Sequence, residues 1–355
     1  MISLCFGQLC AEAAAGHCIK DSVFIDPACG SGNFLTETYI CLRRLENKVI
    51  KEIQGAQIVM GDAVNPIKVS IHQFCGFEIN DFAVTVAKTA LWIAESQMMR
   101  ETEDIVHMQL DFLPLETNAT IIECNALRID WWRYVDRHSL SYIMGNPPFN
   151  GSSTRSSQQT EDMGVIAFSD QKKWGKIDYC GAWYYMATKF IAGNPNIRAA
   201  FVSTNSLCQG EQVEAMWKPL FDMGIHIDFA YRTFVWDSEA TDKAHVHCVI
   251  IGFSMGSHDT IRKIYTNGNV LIAANINGYL IDAPNVFIPA RSNPIDDKHL
   301  HIVQGCKPVD GGNFVIENYN EFVKNNPQIE KYIRPYIGSA EFIQNKKRWC
   351  LWLPQ

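Results

Sequence analysis

The tetrapeptide Asn146-Pro147-Pro148-Phe149 is the part of this sequence whose residue types and spacing best support chemistry. Two successive prolines remove two backbone donors and fix φ at about −65°, and the first keeps Asn146 out of the helical region. The resulting corner offers two rigid acceptors, the Asn146 side-chain oxygen and the Pro147 carbonyl. A planar amine can donate a hydrogen bond to each while Phe149 stacks on the ring that carries it. The alternative interpretation is an ordinary proline-rich loop after a core strand.

A second segment, residues 23–35, has the pattern of an apolar strand, a glycine turn and a helix start. Gly30 and Gly32 allow positive φ and close backbone approach, and the helix start offers free N–H groups to an anion. A nicotinamide dinucleotide would require a third glycine where the chain has Leu35, and Asp26 would repel its pyrophosphate. A carboxylate at this position favours a cationic ligand instead, such as the sulfonium and ammonium groups of S-adenosylmethionine.

The elements around these motifs alternate between strand and helix, which predicts an α/β fold with a doubly wound, mostly parallel sheet. The predicted strands are residues 23–26, 73–78, 120–124, 142–145, 199–203, 225–231 and 246–253, with the last two antiparallel; the predicted helices are 34–53, 82–99 and 184–191. Ligands of such sheets bind at the carboxyl ends of the strands. Asp26, Glu78, Asn125 and Asn146 all fall at or just after predicted strand ends, so we expect them around one site.

The two motifs together resemble those of the amino-methylating DNA methyltransferases that act on adenine, in the gamma motif order. Residues 76–80, 177–184, 202–206 and 244–253 are similar to the methylase part of MmeI-like type IIG/IIL restriction–modification enzymes. The resemblance covers roughly residues 20–255. It implies a Rossmann-like class I S-adenosylmethionine-dependent methyltransferase fold, with a seven-stranded mixed sheet and helices on both faces.

The resemblance also implies roles for individual residues. The catalytic residues would be Asn146, Pro147, Pro148 and Phe149. The residues expected at the cofactor are Asp26, Pro27, Ala28, Cys29, Gly30, Gly32, Asn33, Phe34, Glu78, Ile79, Asn125, Ala126 and Asp178. Within this set, Glu78 is expected at the ribose hydroxyls and Asn125 at the adenine, whereas helix capping and a strand-end turn are their alternative roles. Cys29 is interpreted as a packing residue and Asp178 as a supporting one.

The expected reaction is direct methyl transfer to the N6 amine of adenine. Accepting both amine hydrogens favours the pyramidal, nucleophilic nitrogen, and this interaction strengthens as the nitrogen becomes positive in the transition state. The target atom is inaccessible in a duplex, so the base must be flipped out. The expected partner is therefore double-stranded DNA with a specific recognition sequence, and no metal is expected.

Composition limits the other possibilities. The chain has 355 residues, of which 47% are hydrophobic and 19% charged, as in globular proteins. It has no apolar run long enough for a membrane span and no signal peptide. Twelve cysteines without a C-x-x-C pair indicate reduced thiols in a cytoplasmic protein. The net charge of −7 is unusual for a polyanion binder, so much of the phosphate-contacting surface is expected outside this sequence.

Basic residues gather in two places, residues 155–176 and 346–348, where solvated surface is the alternative to phosphate contact. The polar stretch 151–176 is expected to be a mobile loop over the pocket or along the DNA, and disorder without a function is the alternative. His245 and His247 have the spacing of neighbouring residues on one face of a strand, and we interpret them as ordinary sheet residues rather than metal ligands.

The predicted organisation has three parts. Residues 1–20 are an N-terminal helical remnant, residues 21–256 the catalytic domain, and residues 257–355 the start of a DNA target-recognition region, which we expect to be truncated. The nuclease module of related restriction–modification chains is expected to be absent from this chain.

Two alternative functions stay open at this point. The first is amino methylation of another substrate: a protein glutamine, ribosomal RNA, or cytosine N4. The second is a non-catalytic DNA-binding or scaffold fragment of a defence system.

Overall fold

The computed structural model of the chain describes residues 19–56, 66–107, 119–136, 138–236, 246–256, 261–289, 291 and 311–353. The predicted N-terminal remnant, apart from its last two residues, and His245 lie outside the described residues. The chain divides into two compact units, residues 1–290 and 291–355.

The first unit is built on one mixed sheet with nine strands in its described residues. The strands are β1 (Val23–Asp26), β2 (Phe74–Glu78), β3 (Thr120–Glu123), β4 (Leu140–Gly145), β5 (Arg198–Thr204), β6 (His226–Trp236), β7 (Val246–Ser254), β8 (Arg262–Thr266) and β9 (Asn269–Ala273). Their spatial order is β3-β2-β1-β4-β5-β7-β6-β8-β9. The first five in that order are parallel, and β7 runs antiparallel to both β5 and β6. The order reverses beside β1, where β4 begins the second half, and this is the place where such sheets bind ligands.

Alternating residues of the central strands pack on opposite faces of this sheet, as the two-residue period of a strand requires. In β1, Phe24 belongs to one hydrophobic cluster and Ile25 to the other. Helices α1 (Asn33–Ala56) and α2 (Asp81–Val106) cover the first face. On the second face lie α4 (Gly181–Ile191) and α5 (Gln212–Asp222). A short helix α3 (Ser157–Glu161) and a π-helix (Asp162–Ala167) precede α4.

Local sequence explains where two of these elements begin. Helix α2 starts after Asn80, whose side chain accepts from Ala83 N at 3.1 Å and so caps the first turn. Helix α1 starts after the glycine turn, where Gly30 and Gly32 have φ of 53° and 80°. No helix of the described residues is both long and apolar enough to cross a bilayer.

The predicted α/β class, mixed sheet and two helical layers are confirmed, but the predicted count of seven strands is wrong. Strands β8 and β9 form a hairpin that extends the sheet beyond β6. Its turn is Asn267-Gly268, with φ of 49° and 81°, the pattern that favours a two-residue hairpin loop. The first unit therefore continues past residue 256; the functional boundary of the catalytic domain stays a prediction.

The stretch 151–176, expected to be a mobile loop, contains α3, the π-helix and a buried cluster. Met163, Ala167 and Phe168 are at most 1% exposed. A Cβ on Gly164 would lie 2.2 Å from the Trp174 ring, so the segment closes on its own side chains. Met163, Ala167 and Phe168 belong to the hydrophobic cluster on the second face of the sheet, so the stretch packs against the body of the first unit.

The second unit contains a small antiparallel sheet in the order β10-β12-β11. Its elements are β10 (Val315–Ile316), α6 (Tyr319–Asn325), β11 (Ile333–Tyr336), α7 (Ser339–Gln344) and β12 (Arg348–Leu351). Arg348 of the predicted basic group donates to Glu341 at 2.7 Å, so that group is partly neutralised within the unit.

Candidate active site

A cavity of about 480 Å³ lies at the carboxyl ends of the central strands. Its lining residues include seven of the residues predicted at the cofactor and two of the catalytic corner: Pro27, Ala28, Gly30, Glu78, Ile79, Asn125, Ala126, Asn146 and Pro148. The sheet therefore brings together residues that are more than 100 positions apart in the chain. The volume is in the range of small-molecule and cofactor sites.

The glycine turn after β1 is held by close backbone contacts. Cys29 N donates to Phe77 O at 3.0 Å and Gly32 N to Cys29 O at 2.8 Å. A Cβ on Gly32 would lie 2.9 Å from Ala87 Cβ on α2, so this position requires glycine both for its φ and for its space. Four residues predicted at the cofactor, namely Cys29, Gly32, Asn33 and Phe34, shape this turn and do not line the cavity.

The Asp26 carboxylate is fully buried at the end of β1. Its Oδ1 accepts from Ala28 N at 2.9 Å, whereas Oδ2 has no hydrogen-bond partner. Burial, with the nearby negative charge of Glu78, raises the pKa of this carboxyl to about 8. Asp26 does not itself line the cavity, so its contribution to ligand binding stays a prediction.

Glu78 connects the end of β2 to the glycine turn. Its Oε2 accepts from Gly30 N at 3.0 Å, and its Oε1 accepts from Ile79 N and Asn80 N, both at 2.9 Å. The carboxylate lines the cavity and retains capacity for a further donor. It therefore fixes the turn, and the contact with ribose hydroxyls stays a prediction.

The Asn-Pro-Pro-Phe corner follows β4 directly, beside the end of β1. Asn146 lines the cavity, and its Oδ1 is buried without a hydrogen-bond partner. Pro147 is buried, and Pro148 is exposed on the cavity wall. Phe149 is half-buried and packs against both hydrophobic clusters. A buried acceptor without a donor destabilises the folded state, so Asn146 Oδ1 is a candidate acceptor for a hydrogen bond from a polar ligand.

Asn125, predicted at the adenine, has both side-chain polar atoms engaged. Its Oδ1 accepts from Leu127 N at 3.0 Å, and its Nδ2 donates to Asp162 Oδ2 at 3.0 Å. It lines the cavity and also caps the 3₁₀-helix Ala126–Arg128. Asn125 therefore forms the strand-end turn and also lines the cavity, whereas its contact with the cofactor adenine stays a prediction.

Asp178 lies outside the cavity lining. Its Oδ2 accepts from Thr204 Oγ1 at 2.8 Å and its Oδ1 from Gln212 Nε2 at 3.1 Å. These contacts join the start of α4 to β5 and α5, so the expected supporting role is a matter of positioning the neighbouring residues. Its predicted contact with the cofactor stays a prediction.

Several cavity residues were not identified from the sequence: Phe77, Cys124, Ser156, Gln158, Gln159, Asp162, Tyr179 and Trp183. Trp183 Nε1 donates to the Pro27 carbonyl at 2.9 Å, and the Tyr179 ring meets Trp183 edge-on at 5.2 Å. The spacing of aromatic residues at the start of α4 is the sequence pattern that could have indicated Tyr179 and Trp183 as cavity residues. Nothing in the local pattern distinguishes Gln158 or Asp162 from solvated polar residues.

The predicted basic group around residue 155 is largely paired internally. Lys173 donates to Glu214 at 2.9 Å, and Lys176 pairs with Glu211. The Arg155 guanidinium lies 5.6 Å from the centre of the Trp174 ring. Among the described residues, no group of three or more His, Cys, Asp or Glu side chains could hold a metal ion; His247 is an exposed residue of β7.

Comparison with known proteins matches two parts of the chain to domains of one family. Residues 15–266 match the MmeI DNA-methyltransferase domain, and residues 282–355 match the MmeI target recognition domain. The chain belongs to the MmeI family of DNA methyltransferases.

Two relatives of this MmeI-family chain are longer proteins, and each matches almost the whole of this chain. "DNA methyltransferase A" of Bacillus subtilis (strain 168) is 40% identical over 336 residues, which are 93% of this chain and 37% of that protein. The structure of the Type IIL restriction–modification enzyme MmeI in complex with DNA is 42% identical, with a TM-score of 0.88, over 94% of this chain and 45% of that one. The chain therefore spans less than half the length of either relative.

Proposed function

We propose that this chain transfers a methyl group from S-adenosylmethionine to the N6 amine of a flipped-out adenine, at a specific sequence in double-stranded DNA. The observation that carries the proposal is the buried Asn146 Oδ1, which has no hydrogen-bond partner and lies on the wall of the cavity at the strand ends. The family assignment supports DNA as the substrate and a restriction–modification system as the context.

The residues present fit the proposed cofactor. The cavity of about 480 Å³ can enclose a nucleoside-sized group. Phe77, Ile79 and Trp183 give it apolar walls, and Glu78 adds a carboxylate acceptor. The buried carboxyl of Asp26, whose Oδ2 has no hydrogen-bond partner, lies behind the glycine turn. A bound cation would favour the ionised form of this carboxyl, so the position suits a cationic rather than a phosphorylated ligand. When bound, S-adenosylmethionine supplies the methyl group for transfer.

Asn146 and Pro147 accept the two amine hydrogens of the target base. A rigid acceptor pair stabilises the nitrogen as it gains positive charge, and its geometry does not have to reorganise during transfer. Removal of one such preorganised hydrogen bond in other enzymes typically reduces kcat by about 10²–10³-fold. Phe149, at the end of the corner, contributes the ring on which the flipped base stacks.

Sequence recognition is assigned to the second unit, because residues 282–355 match a target recognition domain. Base-specific contacts of this kind are made in the grooves, apart from the site of chemistry. Lys346 and Lys347 are exposed there and are available to phosphates. This division leaves the first unit to bind the cofactor and the flipped base.

The test of the proposed function is the class of polymer that receives the methyl group. The full chain is incubated with S-adenosylmethionine labelled in its methyl group and with genomic DNA, total RNA or cellular protein. Label in DNA that is lost in the Asn146→Ala variant supports the proposal. Label in protein or RNA but not in DNA overturns it in favour of another amine or amide substrate.

A further inference from the structure

The segment that follows the catalytic corner forms one wall of the candidate cofactor cavity. We call residues 156–167 the covering segment; it comprises α3, the π-helix and the residue that precedes them. Ser156, Gln158, Gln159 and Asp162 all line the cavity. π-helical turns are uncommon and are found frequently at functional sites, so the break in regular helix at Asp162 invites a functional explanation.

Asp162 attaches the covering segment to the cavity floor. Only 1% of this residue is exposed, yet its carboxylate accepts three side-chain hydrogen bonds. Asn125 Nδ2 and the Tyr179 hydroxyl donate to Oδ2 at 3.0 and 2.9 Å, and Arg128 Nε donates to Oδ1 at 2.6 Å. These donors follow β3, or precede α4, so one side chain joins three parts of the cavity wall.

The chemistry of this cluster makes Asp162 hard to replace. A buried carboxylate is tolerated only when it is paired and hydrogen-bonded, and Arg128 supplies the opposite charge. Burial and, after it, the hydrogen bond to Asp162 raise the pKa of the Tyr179 hydroxyl, which keeps it a donor. Glu161, the preceding residue, is different: its side chain is 54% exposed and pairs with Arg128 at the surface.

The covering segment also adds polar groups to the cavity wall. Each polar atom of the Asn125 side chain already makes one hydrogen bond, so one N–H and one lone pair of that side chain remain for a ligand. The Gln159 side-chain oxygen accepts a hydrogen bond from Ser156 N at 3.0 Å. The exposed Gln158 lines the cavity one position before it, and its amide can both donate and accept.

We infer that Asp162 is a positioning residue, which holds the covering segment over the cofactor cavity so that Gln158 contacts the bound cofactor. The inference rests on the proposed function, because it takes the cavity to bind S-adenosylmethionine. It assigns part of the cofactor site to a segment that follows the catalytic corner in the chain. The glycine turn and the ends of β2 and β3, which precede β4, supply the rest.

The first test is binding of S-adenosylhomocysteine to the full chain, measured by calorimetry. We expect Asp162→Asn to weaken binding about tenfold or more, because the amide cannot accept from all three donors. Glu161→Gln is the matched control and is expected to change the affinity by less than about twofold, as for an exposed pair. In methyl transfer, Asp162→Asn should raise KM for S-adenosylmethionine and leave KM for DNA unchanged.

A second pair of variants keeps the test decisive if Asp162→Asn does not fold. Gln158 is exposed, so Gln158→Ala preserves the fold and is expected to weaken S-adenosylhomocysteine binding about fivefold to tenfold; Ser157→Ala, its neighbour outside the cavity lining, should not. The ligand should also slow hydrogen exchange across residues 156–167 in the wild-type chain.

The outcomes separate this inference from the proposed function. A wild-type chain that binds S-adenosylhomocysteine, together with folded Asp162→Asn or Gln158→Ala variants of equal affinity and no slowing of exchange, would overturn the inference alone. A wild-type chain that does not bind S-adenosylhomocysteine would overturn both.

Discussion

The Asp26 carboxylate lies against the backbone of Gly145, so that a Cβ placed on Gly145 would be only 2.4 Å from Asp26 Oδ1. Asp26 ends β1 and precedes the glycine turn, whereas Gly145 ends β4 and precedes Asn146. The adjacent parallel strands thus place the acid of the candidate cofactor loop directly beside the catalytic corner. The absence of a side chain at position 145 is what allows this approach.

Replacing Gly145 with alanine should disturb both motifs together. Asp26 Oδ1 would have to move away from Ala28 N, and overpacking of this kind typically costs about 1–3 kcal/mol of stability. We expect a lower free energy of unfolding in urea and weaker binding of S-adenosylhomocysteine. Gly151→Ala is the control, since its Cβ would meet nothing closer than 3.7 Å. Equal stability and affinity for the two variants would show that the contact is unimportant.

Asp26 should make the stability of the unliganded protein depend on pH. In the folded chain its pKa is about 8, against 3.8 for an unperturbed aspartate. Between these values the folded state binds more protons than the unfolded state, so the free energy of unfolding falls as pH rises. The slope contributed by this group is at most about 1.4 kcal/mol per pH unit.

Asp26→Asn removes this penalty and should therefore gain stability relative to the wild type as pH rises from 5 to 8. The measurement is urea unfolding of both proteins at each pH. Asp21→Asn replaces an exposed carboxyl on the same segment, and its free energy of unfolding should change with pH in the same way as that of the wild type. A wild-type-minus-variant difference that stays constant across this range would contradict the buried, protonated carboxyl.

Glu78 should be required for cofactor affinity through the turn that it holds. Its two oxygens accept from three backbone N–H groups, and a glutamine can retain only some of these bonds. We expect Glu78→Gln to weaken S-adenosylhomocysteine binding about tenfold, as for loss of a half-buried charge-assisted hydrogen bond.

Glu123→Gln provides the control for Glu78→Gln, because Glu123 is the exposed register partner of Glu78 on β3. It removes the same charge from the neighbouring strand end without touching the glycine turn. If the two variants lose affinity equally, the general negative charge matters and the specific hydrogen bonds do not.

Asn146→Ala should abolish transfer while leaving cofactor binding nearly intact. The variant loses one of the two acceptors for the target amine, and we expect kcat to fall by about 100-fold or more. Calorimetry with S-adenosylhomocysteine should give an affinity within about threefold of wild type, because the acceptor for the target amine contributes little to the binding of this ligand. Full transfer by this variant would remove Asn146 from the catalytic assignment.

Much of the central sheet could be predicted from the sequence because its signals are local. Residues 23–26 and 142–145 are short apolar runs that end in turn-forming residues, and the structure places β1 and β4 there. The parallel arrangement then requires Asp26, Glu78 and Asn146 to meet at one edge. The Asn267-Gly268 turn was an equally local signal for the β8–β9 hairpin, but it was not interpreted as one.

The parts that could not be predicted depend on contacts between distant segments. Asp162 is separated by 37 residues from Asn125, and it lies in a polar stretch that has the composition of a solvated loop. Its burial follows from the path of the covering segment, which no local pattern specifies. The hydrogen bonds that Asp178 accepts from Thr204 and Gln212 also join distant segments, and no local pattern specifies them.

The most direct test of the proposed function is the identity of the methylated nucleoside. Genomic DNA is incubated with the full chain and methyl-labelled S-adenosylmethionine, then digested to nucleosides and separated by chromatography. Label that comigrates with N6-methyldeoxyadenosine, and that disappears with Asn146→Ala, is the predicted result. Label in N4-methyldeoxycytidine, or none in DNA despite measured cofactor binding, would contradict adenine methylation by this chain.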